Sequence, residues 1–405
     1  MLLDLRFLRS EIKTMTRQQQ FLINLIVTVL NTKKNKQNFE DPDSSEDLNW
    51  ETIQYLMSEK KLLTYILFVE TGKFDQLKTP EIMSRVAATL QQSIAFEYEW
   101  NQLQTIFEKH GVDCLPLKGI NIRNYYPDIL LRPMCDLDIL YREEQNETMK
   151  SALAEAGYWL QAEGIKHDHF VNDYGVHVEM HREMVEAGTS YREYYQNIWN
   201  KVRKVEGYQH IFKLSPEDEY IFVIVHMKEH FIRGEAELKM LTDVYVMQKQ
   251  CDLDKEYIRK ELDVIGLSEF EGNISRLAQN WFSGECKVDD DLVELSEYLL
   301  GNQKYNTEKD SFFAFSTHGN KVKYFIYAVF PSLPRMQSMF PWLRKWPVLL
   351  PAAWMIRIVR AIRYRQHNIR TEWTRLKNIN KSNYEQGREL NAMFRRYGLG
   401  ENDYE

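Results

Sequence analysis

The stretch LKGINIRNYYPDILLRPMCDLDILY, residues 117–141, contains the pattern on which the fold depends. Near its end, Asp136 and Asp138 alternate with apolar residues, which is typical of a β-strand with one buried face. Side chains two positions apart point to the same side of a strand, so both carboxylates project together. Buried carboxylates require cations, hydrogen-bond donors or water nearby. The stretch therefore predicts a strand whose acidic face must be neutralised.

A second strand candidate, VHVEMHR at residues 176–182, also has one polar face. Glu179 lies at the centre of that face, between two histidines. If this strand lies beside the first, Glu179 joins Asp136 and Asp138 in one acidic cluster. Mg²⁺ prefers such oxygen ligands, and the phosphates of a substrate can complete its coordination.

The sequence around these motifs predicts a mixed sheet flanked by helices. Further strand candidates are residues 114–117, 158–161 and 167–172. Residues 146–157 have the start signal, composition and terminal glycine of a helix. The order strand, helix, strand, helix and then three strands is typical of an α+β fold.

Helices are predicted on both sides of this sheet. Apolar residues recur at three- and four-residue intervals over residues 52–72 and 80–110. The second of these helices has an apolar stripe that predicts a buried face, formed by Leu90, Ile94, Phe96, Trp100, Leu103 and Phe107. Ser215, followed by a proline and an acidic residue, predicts the start of another helix.

These elements predict three regions. Residues 1–95 form an N-terminal helical region, in which residues 31–50 read as a loop or linker after a first helix. Residues 96–212 form the core that contains the mixed sheet. Residues 213–405 form a C-terminal helical domain, broken by several prolines.

Length and composition fit a globular chain of two or three domains. The chain has 405 residues, of which 44% are hydrophobic and 27% charged, and its net charge is -7. A negative chain is unsuited to binding long nucleic acids through overall basicity. Four cysteines without CxxC spacing favour a reducing compartment, so we expect a cytoplasmic protein.

Targeting and membrane-spanning segments are not expected. Residues 1–20 carry charges throughout and lack the apolar core of a signal peptide. The most apolar later run, residues 346–359, is interrupted by Pro351, whereas a spanning helix needs about 20 apolar residues.

The acidic motifs resemble those of the nucleotidyltransferase superfamily typified by DNA polymerase beta and the aminoglycoside nucleotidyltransferases. A closer resemblance is to a bacterial family of uncharacterised nucleotidyltransferases. It rests on LKG at 117–119, YYP at 125–127, RPMCDLDIL at 132–140 and VHVEMH at 176–181. It extends through residues 226–244 into the proline-broken C-terminal region and covers most of residues 85–355.

This resemblance implies a nucleotidyltransferase-like sheet and a metal-dependent enzyme. The implied reaction moves a nucleoside monophosphate from a nucleoside triphosphate, such as ATP, to an acceptor and releases pyrophosphate. Asp136 and Asp138 match the family's metal-binding Asp-x-Asp pair, and Glu179 matches its third carboxylate. The implied ion is Mg²⁺, with Mn²⁺ as the alternative. The acceptor is a small molecule, a peptide or a protein.

The turn before the aspartates departs from the wider superfamily, which has Gly-Ser there. This chain has Lys118 and Gly119, as the closer family does. Gly119 lets the backbone approach a phosphate, and Lys118 supplies positive charge. Arg132 is a further candidate for binding phosphate, and an ion pair with an aspartate is the alternative.

Several other polar residues are candidates for contact with the nucleotide or the acceptor. His181 shares the face of Glu179 and is expected to orient a metal ligand through a hydrogen bond. In the resembling family, the segment that contains His230, Arg233 and Asp243 packs beside the catalytic sheet. Asp243 is a candidate general base, and an ion-paired or helix-capping carboxylate is the alternative.

The preceding strand candidate carries a second group of titratable residues. His167 and His169 flank Asp168, but alternation places the two histidines on the side of the strand opposite to Asp168. The three residues therefore do not predict one shared site.

Two other functions stay open at this point. A nucleotide-binding regulatory protein would bind a triphosphate without releasing pyrophosphate. A peripheral membrane scaffold in cell-surface polymer assembly would use the basic and aromatic residues between positions 335 and 365. A helical cap with buried aromatic residues and solvated arginines is the alternative reading of that segment.

Overall fold

A mixed five-stranded sheet lies at the centre of the protein, whose structure is a computed structural model. It describes residues 15–31, 37–38, 48–70, 76–164, 166–186, 189–284, 287, 289–301, 326, 329–364 and 381–400. The fold is α+β with this sheet flanked by helices, so the predicted fold class is confirmed. The N-terminal part of the predicted first helix and most of the predicted linker at residues 31–50 lie outside the described residues.

The elements follow in chain order. The strands are β1 (Gln37–Asn38), β2 (Val69–Glu70), β3 (Cys114–Pro116), β4 (Leu137–Tyr141), β5 (Tyr158–Glu163), β6 (His167–Asn172), β7 (His177–His181), β8 (Arg203–Lys204) and β9 (Phe212–Lys213). The α-helices are α1 (Arg17–Leu30), α2 (Trp50–Glu59), α3 (Pro80–His110), α4 (Gly119–Ile122), α5 (Asn146–Glu155), α6 (Arg192–Gln196), α7 (Pro216–Ile232), α8 (Leu238–Gln250), α9 (Lys255–Val264), α10 (Ser268–Phe282), α11 (Val293–Leu300), α12 (Leu333–Met339), α13 (Leu350–Tyr364) and α14 (Lys381–Arg396). Short 3₁₀ helices cover Leu63–Leu67, Arg123–Tyr125, Ile129–Leu131, Glu143–Gln145, Ile198–Asn200, Asp290–Leu292, Pro341–Arg344 and Pro347–Leu349.

The order of strands in the central sheet is β3-β4-β7-β6-β5. Strands β4 and β7 are parallel, and the other neighbours are antiparallel. This register puts Asp138 directly beside Glu179, and Glu179 beside His169 of β6. The sheet therefore brings together residues that are far apart in the sequence.

The two faces of the sheet have different neighbours. Leu137 and Ile139 of β4 are fully buried and pack, with residues of α3 and α5, in one hydrophobic cluster. Leu140, which shares a face with Asp138, belongs instead to a second cluster with residues of α7 and α8. The predicted alternation of β4 is thus confirmed, and the acidic face is turned toward the C-terminal helices.

Helix α3 has the predicted bounds because both of its ends are specified locally. The Thr79 side chain caps the first turn by accepting from the backbone of Ile82, and Pro80 occupies the first helical position. Gly111 ends the helix in the left-handed region at φ 70°. One member of the predicted stripe is wrong, because Ile94 is 65% exposed.

This helix contributes to both hydrophobic clusters. Ile82 and Val86 pack with the N-terminal and C-terminal helices, whereas Phe96 and Phe107 pack under the sheet. The N-terminal helices and helices α7 to α10 share the first cluster. The region boundaries at residues 95 and 212 stay predictions.

The predicted helix over residues 52–72 ends early, at Glu59. Lys61 adopts φ 59°, and the backbone N–H groups of Lys61 and Leu62 bond to Ser58 and Met57. These are the two hydrogen bonds of a Schellman motif, which normally uses glycine, so the sequence offered no stop signal. The remaining residues form a 3₁₀ helix and β2.

The C-terminal segment only partly matches the cap interpretation. Trp354 packs on a small cluster with Phe340 and donates a hydrogen bond to the carbonyl of Pro331. Trp346 is 61% exposed, and Met355 and Val359 on α13 are also exposed. Arg365 lies outside the described residues. Within the described ranges, we find no helix long and apolar enough to cross a bilayer.

We expect Ile139→Ala to lower the free energy of unfolding by about 2–5 kcal/mol, because it leaves a cavity in the middle of the sheet core. The matched control is Ile94→Ala on the exposed face of α3, which should change it by less than about 0.5 kcal/mol. Urea unfolding followed by circular dichroism measures both. Equal losses of stability in the two variants would contradict the assignment of Ile139 to the sheet core and of Ile94 to the exposed face of α3.

Candidate functional site

Asp138 is the buried centre of the acidic face. Its side chain is nearly inaccessible, and its Oδ1 accepts from Lys118 Nζ at 2.9 Å and contacts His181 Nε2 at 2.8 Å. A carboxylate held by two such groups is neutralised within the protein. The strand pattern predicts a neutralising partner for Asp138, and the structure supplies a lysine and a histidine.

The electrostatics of this group favour charged side chains. Burial alone would raise the pKa of Asp138, but Lys118 and His181 lower it well below its usual value. Burial likewise opposes the charge on Lys118, yet the Asp138 carboxylate raises the pKa of that lysine. The ion pair is therefore retained near neutral pH.

Lys118 is held in an unusual backbone conformation. It follows β3, where the Leu117 N–H donates to the Asp138 carbonyl at 2.9 Å. Its φ of 54° and ψ of -121° place it in a region that favours glycine, at a cost on the order of 1–3 kcal/mol. Strained backbone conformations are typical of functional sites. Here the conformation of Lys118 points its ammonium group at Asp138.

Gly119 leaves room for a neighbouring side chain. A Cβ atom at this position would lie 2.9 Å from the sulfur of Met134 and 3.1 Å from its Cγ. Met134 therefore covers the first turn of α4 because residue 119 lacks a side chain. The approach of a phosphate to Gly119 stays a prediction, and in the structure Met134 lies against this position.

Glu179 is the meeting point of the acidic and histidine side chains. Its Oε2 lies 3.3 Å from His181 Nε2 and 3.4 Å from His167 Nε2, and its Oε1 lies 3.3 Å from His169 Nδ1. Burial alone would raise the pKa of Glu179, but the hydrogen bond from His181 lowers it. Sequence alternation excluded Asp168 from this group correctly but missed that β6 pairs with β7.

Asp136 lies just before β4 and is half-buried rather than part of the strand. Burial, together with the charges of Asp138 and Glu179, raises the pKa of Asp136 to about 6. The three predicted carboxylates are thus close enough to affect one another. They form an acidic group whose negative charge is only partly neutralised by cationic side chains of the protein.

Arg132 and Asp243 form a buried ion pair instead of facing an open site. Arg132 Nε and Nη2 donate to the two Asp243 oxygens at 2.7 and 2.8 Å, and Tyr126 donates to Oδ1 at 2.7 Å. The structure therefore shows the ion-pair alternative for both residues. Asp243 is occupied as an acceptor, which leaves no support in this geometry for its role as a general base.

His230 and Arg233 lie at the end of α7, near the acidic face but outside its hydrogen-bonded centre. The His226 and His230 rings pack edge to face with centroids 4.4 Å apart. Burial, Arg233 and Lys118 lower the pKa of His230 to about 4. Arg233 Nη2 donates to Glu186 at 2.6 Å. These residues stay candidates for ligand contact.

Two lysines near the site were missed in the sequence analysis. Burial lowers the pKa of Lys166, which also feels the charges of Lys118 and Asp138. Burial and the charge of Arg132 lower the pKa of Lys239, which pairs with Glu237 at 2.7 Å. Lys166 lies outside the matching motifs, and Lys239 lies inside the matching segment 226–244 without a polar pattern around it, so only the fold reveals that positive charge gathers beside the carboxylates.

A cavity of about 400 Å³ begins two residues along β4 from Asp138. Leu140 lines it and pairs in register with His181. Its wall includes the aromatic ring of Trp199 and the charged side chains of Arg182 and Arg192. A concave space of this size and mixed polarity suits a small ligand.

The parallel pair β4 and β7, with adjacent carboxylates on one face and helices on both sides of the sheet, defines a nucleotidyltransferase-like domain. The chain belongs to the uncharacterised nucleotidyltransferase family, whose model matches residues 46–283. The predicted family is thereby confirmed, and membership supports a transferase that uses a nucleotide substrate. Comparisons with curated proteins and with solved structures found no significant match.

We expect Asp243→Asn to lower the free energy of unfolding by about 3–5 kcal/mol, because it leaves the Arg132 charge buried and uncompensated. The control Arg276→Gln breaks a half-exposed contact with Asp289 and should cost less than about 1 kcal/mol. Chemical unfolding of both variants gives the comparison. A stable Asp243→Asn protein would mean that Arg132 is free to serve a ligand.

Proposed function

We propose that this protein is a metal-dependent nucleotidyltransferase that moves a nucleoside monophosphate from a triphosphate to an acceptor and releases pyrophosphate. The observation that carries the proposal is the register of Asp138 and Glu179 on parallel strands, with Asp136 beside them. Family membership supports nucleotidyl transfer in general. The particular reaction is our inference from the site.

Carboxylate oxygens of Asp138 and Glu179 lie close enough together to share one divalent cation. One ligand atom each from Asp138, Glu179 and His181 can be chosen so that all lie within 4.8 Å of one another. Asp136, Asp138 and Glu179 would hold Mg²⁺, or alternatively Mn²⁺, through their oxygens. When bound, such an ion supplies positive charge to the triphosphate and acidifies an acceptor hydroxyl.

In this proposal, Lys118 exchanges one anionic partner for another. Its ammonium group neutralises Asp138 in the structure, and a nucleotide phosphate offers a stronger anion near the same turn. Gly119 keeps the start of α4 free of a Cβ atom, and Met134 would have to move aside for a phosphate to approach. Lys166 and Lys239 add positive charge for the remaining phosphates.

Arg132 has a supporting role in this arrangement. Its guanidinium group reaches the region of Gly119, since Arg132 Nη1 lies 3.9 Å from where a Cβ atom would stand at residue 119. Its ion pair with Asp243 fixes the segment before β4 against α8. We propose that Arg132 positions the nucleotide site and that direct phosphate contact requires loosening of this pair.

The cavity beside Leu140 is our candidate for the acceptor site. Its wall includes Leu140, which lies on the same face of β4 as Asp138, and its volume of about 400 Å³ suits a small molecule or the end of a peptide. Trp199 offers an apolar wall, while Arg182 and Arg192 offer donors that now bind Asp168 and Glu183.

His230 and Arg233 are candidates for contact with either substrate from α7. Because nucleoside triphosphates are cytoplasmic metabolites, we place the proposed reaction in the cytoplasm.

Calorimetric titration tests the proposal, using non-hydrolysable ATP, GTP, CTP and UTP analogues with and without Mg²⁺. We expect Asp138→Asn to abolish Mg²⁺-dependent binding of the preferred nucleotide. Lys118→Ala should tighten the binding of Mg²⁺ alone, because it removes a competing cation, and weaken nucleotide binding by at least about tenfold.

His177→Ala is the control, because His177 lies on β7 outside the group formed by Asp138, Glu179 and His181. Binding of no triphosphate by the wild-type protein would defeat the donor-binding mechanism. Mg²⁺-dependent binding without pyrophosphate release in an acceptor screen would instead favour a nucleotide-binding regulatory protein.

A peripheral membrane role is a second candidate, and the exposed apolar residues of α13 and of the segment just before it favour it. Trp346, Val348, Met355 and Val359 are all exposed, and Arg363 adds positive charge to this segment. Sedimentation with vesicles of anionic lipid tests this role. We expect binding that is lost in a Trp346→Ser/Met355→Ser variant. Equal sedimentation of variant and wild type would contradict it.

A further inference from the structure

Two histidines of β6 and the proposed metal ligand Glu179 of β7 converge on one face of the sheet next to the acidic site. The antiparallel register of β6 and β7 sets His169 opposite Glu179 and His167 opposite His181. The His167 and His169 Nε2 atoms lie 3.0 Å apart. We propose that His167, His169 and Glu179 bind a transition-metal ion of borderline softness, such as Zn²⁺ or Co²⁺, at a site distinct from the aspartates.

Pairs of polar atoms from these side chains lie at distances that two ligands of one ion can have, although the pairs involve both nitrogens of His169 and both oxygens of Glu179. His167 Nε2 lies 3.4 Å from Glu179 Oε2, and His169 Nδ1 lies 3.3 Å from Glu179 Oε1. With metal–ligand bonds of about 2.0–2.2 Å, neighbouring ligand atoms lie about 3.0 Å apart in an octahedral site and about 3.3–3.6 Å in a tetrahedral one. One ligand atom from each residue can be chosen so that all lie within 4.8 Å.

The chemistry of the set differs from that of the acidic site. Two imidazoles and one carboxylate form a ligand set that binds Zn²⁺ and leaves a fourth position open. Mg²⁺ prefers oxygen ligands, so it would favour the aspartates over this group. Nitrogen ligands thus give the two neighbouring sites different metal preferences, although both use Glu179.

The site is reachable from solvent, as metal exchange requires. The side chains of His167, His169 and Glu179 are 25%, 37% and 17% exposed. His181, in contrast, is 1% exposed and is bonded to Asp138. Glu179 extends Oε2 toward both His167 and His181, so it links the exposed histidines to the buried aspartate.

The competing explanation is a metal-free hydrogen-bonded cluster. In that case the histidines only satisfy the Glu179 carboxylate, and the Nε2···Nε2 contact is an ordinary hydrogen bond between imidazoles. Such a cluster would bind Zn²⁺ no better than other exposed histidines. Metal titration separates the two explanations, and it needs no nucleotide, so the inference does not depend on nucleotidyl transfer.

The test is titration of the metal-free full chain with Co²⁺, followed by its visible absorption, and with Zn²⁺, followed by calorimetry. We expect one ion to bind with histidine-nitrogen coordination in the wild type and in the His177→Ala control. His167→Ala/His169→Ala should weaken binding by at least about tenfold. His167→Asn/His169→Asn keeps polar side chains at both positions and should give the same loss, and circular dichroism checks its fold.

Equal affinity of the double variants and the wild type, or no binding by the wild type, would overturn the inference. Asp138→Asn distinguishes this inference from the proposed function. We expect that variant to retain the Co²⁺ spectrum while it loses Mg²⁺-dependent nucleotide binding. Loss of the Co²⁺ spectrum in Asp138→Asn would assign the ion to the acidic site and would contradict a distinct histidine site.

Discussion

Neutralisation of one buried carboxylate governs the architecture around the sheet. Asp138 lies on a strand whose other face fills the core, and its side chain is almost fully buried. Lys118 and His181 approach it from the two strands next to β4. An unpaired ion in this position costs several kcal/mol, and the fold avoids that cost by bringing these three residues together.

The same requirement explains local features that look unfavourable in isolation. Lys118 accepts a backbone conformation that suits glycine because the turn after β3 must aim its side chain at the carboxylate. His181 is almost fully buried although it is polar, because it bonds to Asp138 and Glu179. The strained backbone of Lys118 and the burial of His181 are therefore consequences of holding a charged carboxylate inside a sheet. Both features are typical of functional sites.

Sequence reasoning succeeded where the signal was local. The period-two pattern of β4, the proline and glycine at the ends of α3 and the Ser215 cap of α7 each depend on residues within a few positions of one another. These features specified the fold class and the acidic face. The early end of α2 was not predicted, because Lys61 occupies a position where glycine is the usual signal for the end of a helix.

Contacts between distant residues could not be read from the sequence. Arg132 and Asp243 are 111 positions apart, and nothing near either residue indicates which of several charges it meets. The contacts of His167 and His169 with Glu179 follow from the pairing of β6 with β7, which alternation within one strand does not reveal. The composition of a site thus depends on register, which local pattern leaves open.

Helix α3 has a mechanical consequence beyond its part in packing. Its 31 residues run without interruption from the helical cluster into the cluster beneath the sheet. A continuous helix resists bending, so the two clusters are joined by a rod and not by a hinge. We therefore expect the two clusters to keep a fixed spacing along α3, which couples the position of the sheet to that of the helices in the first cluster.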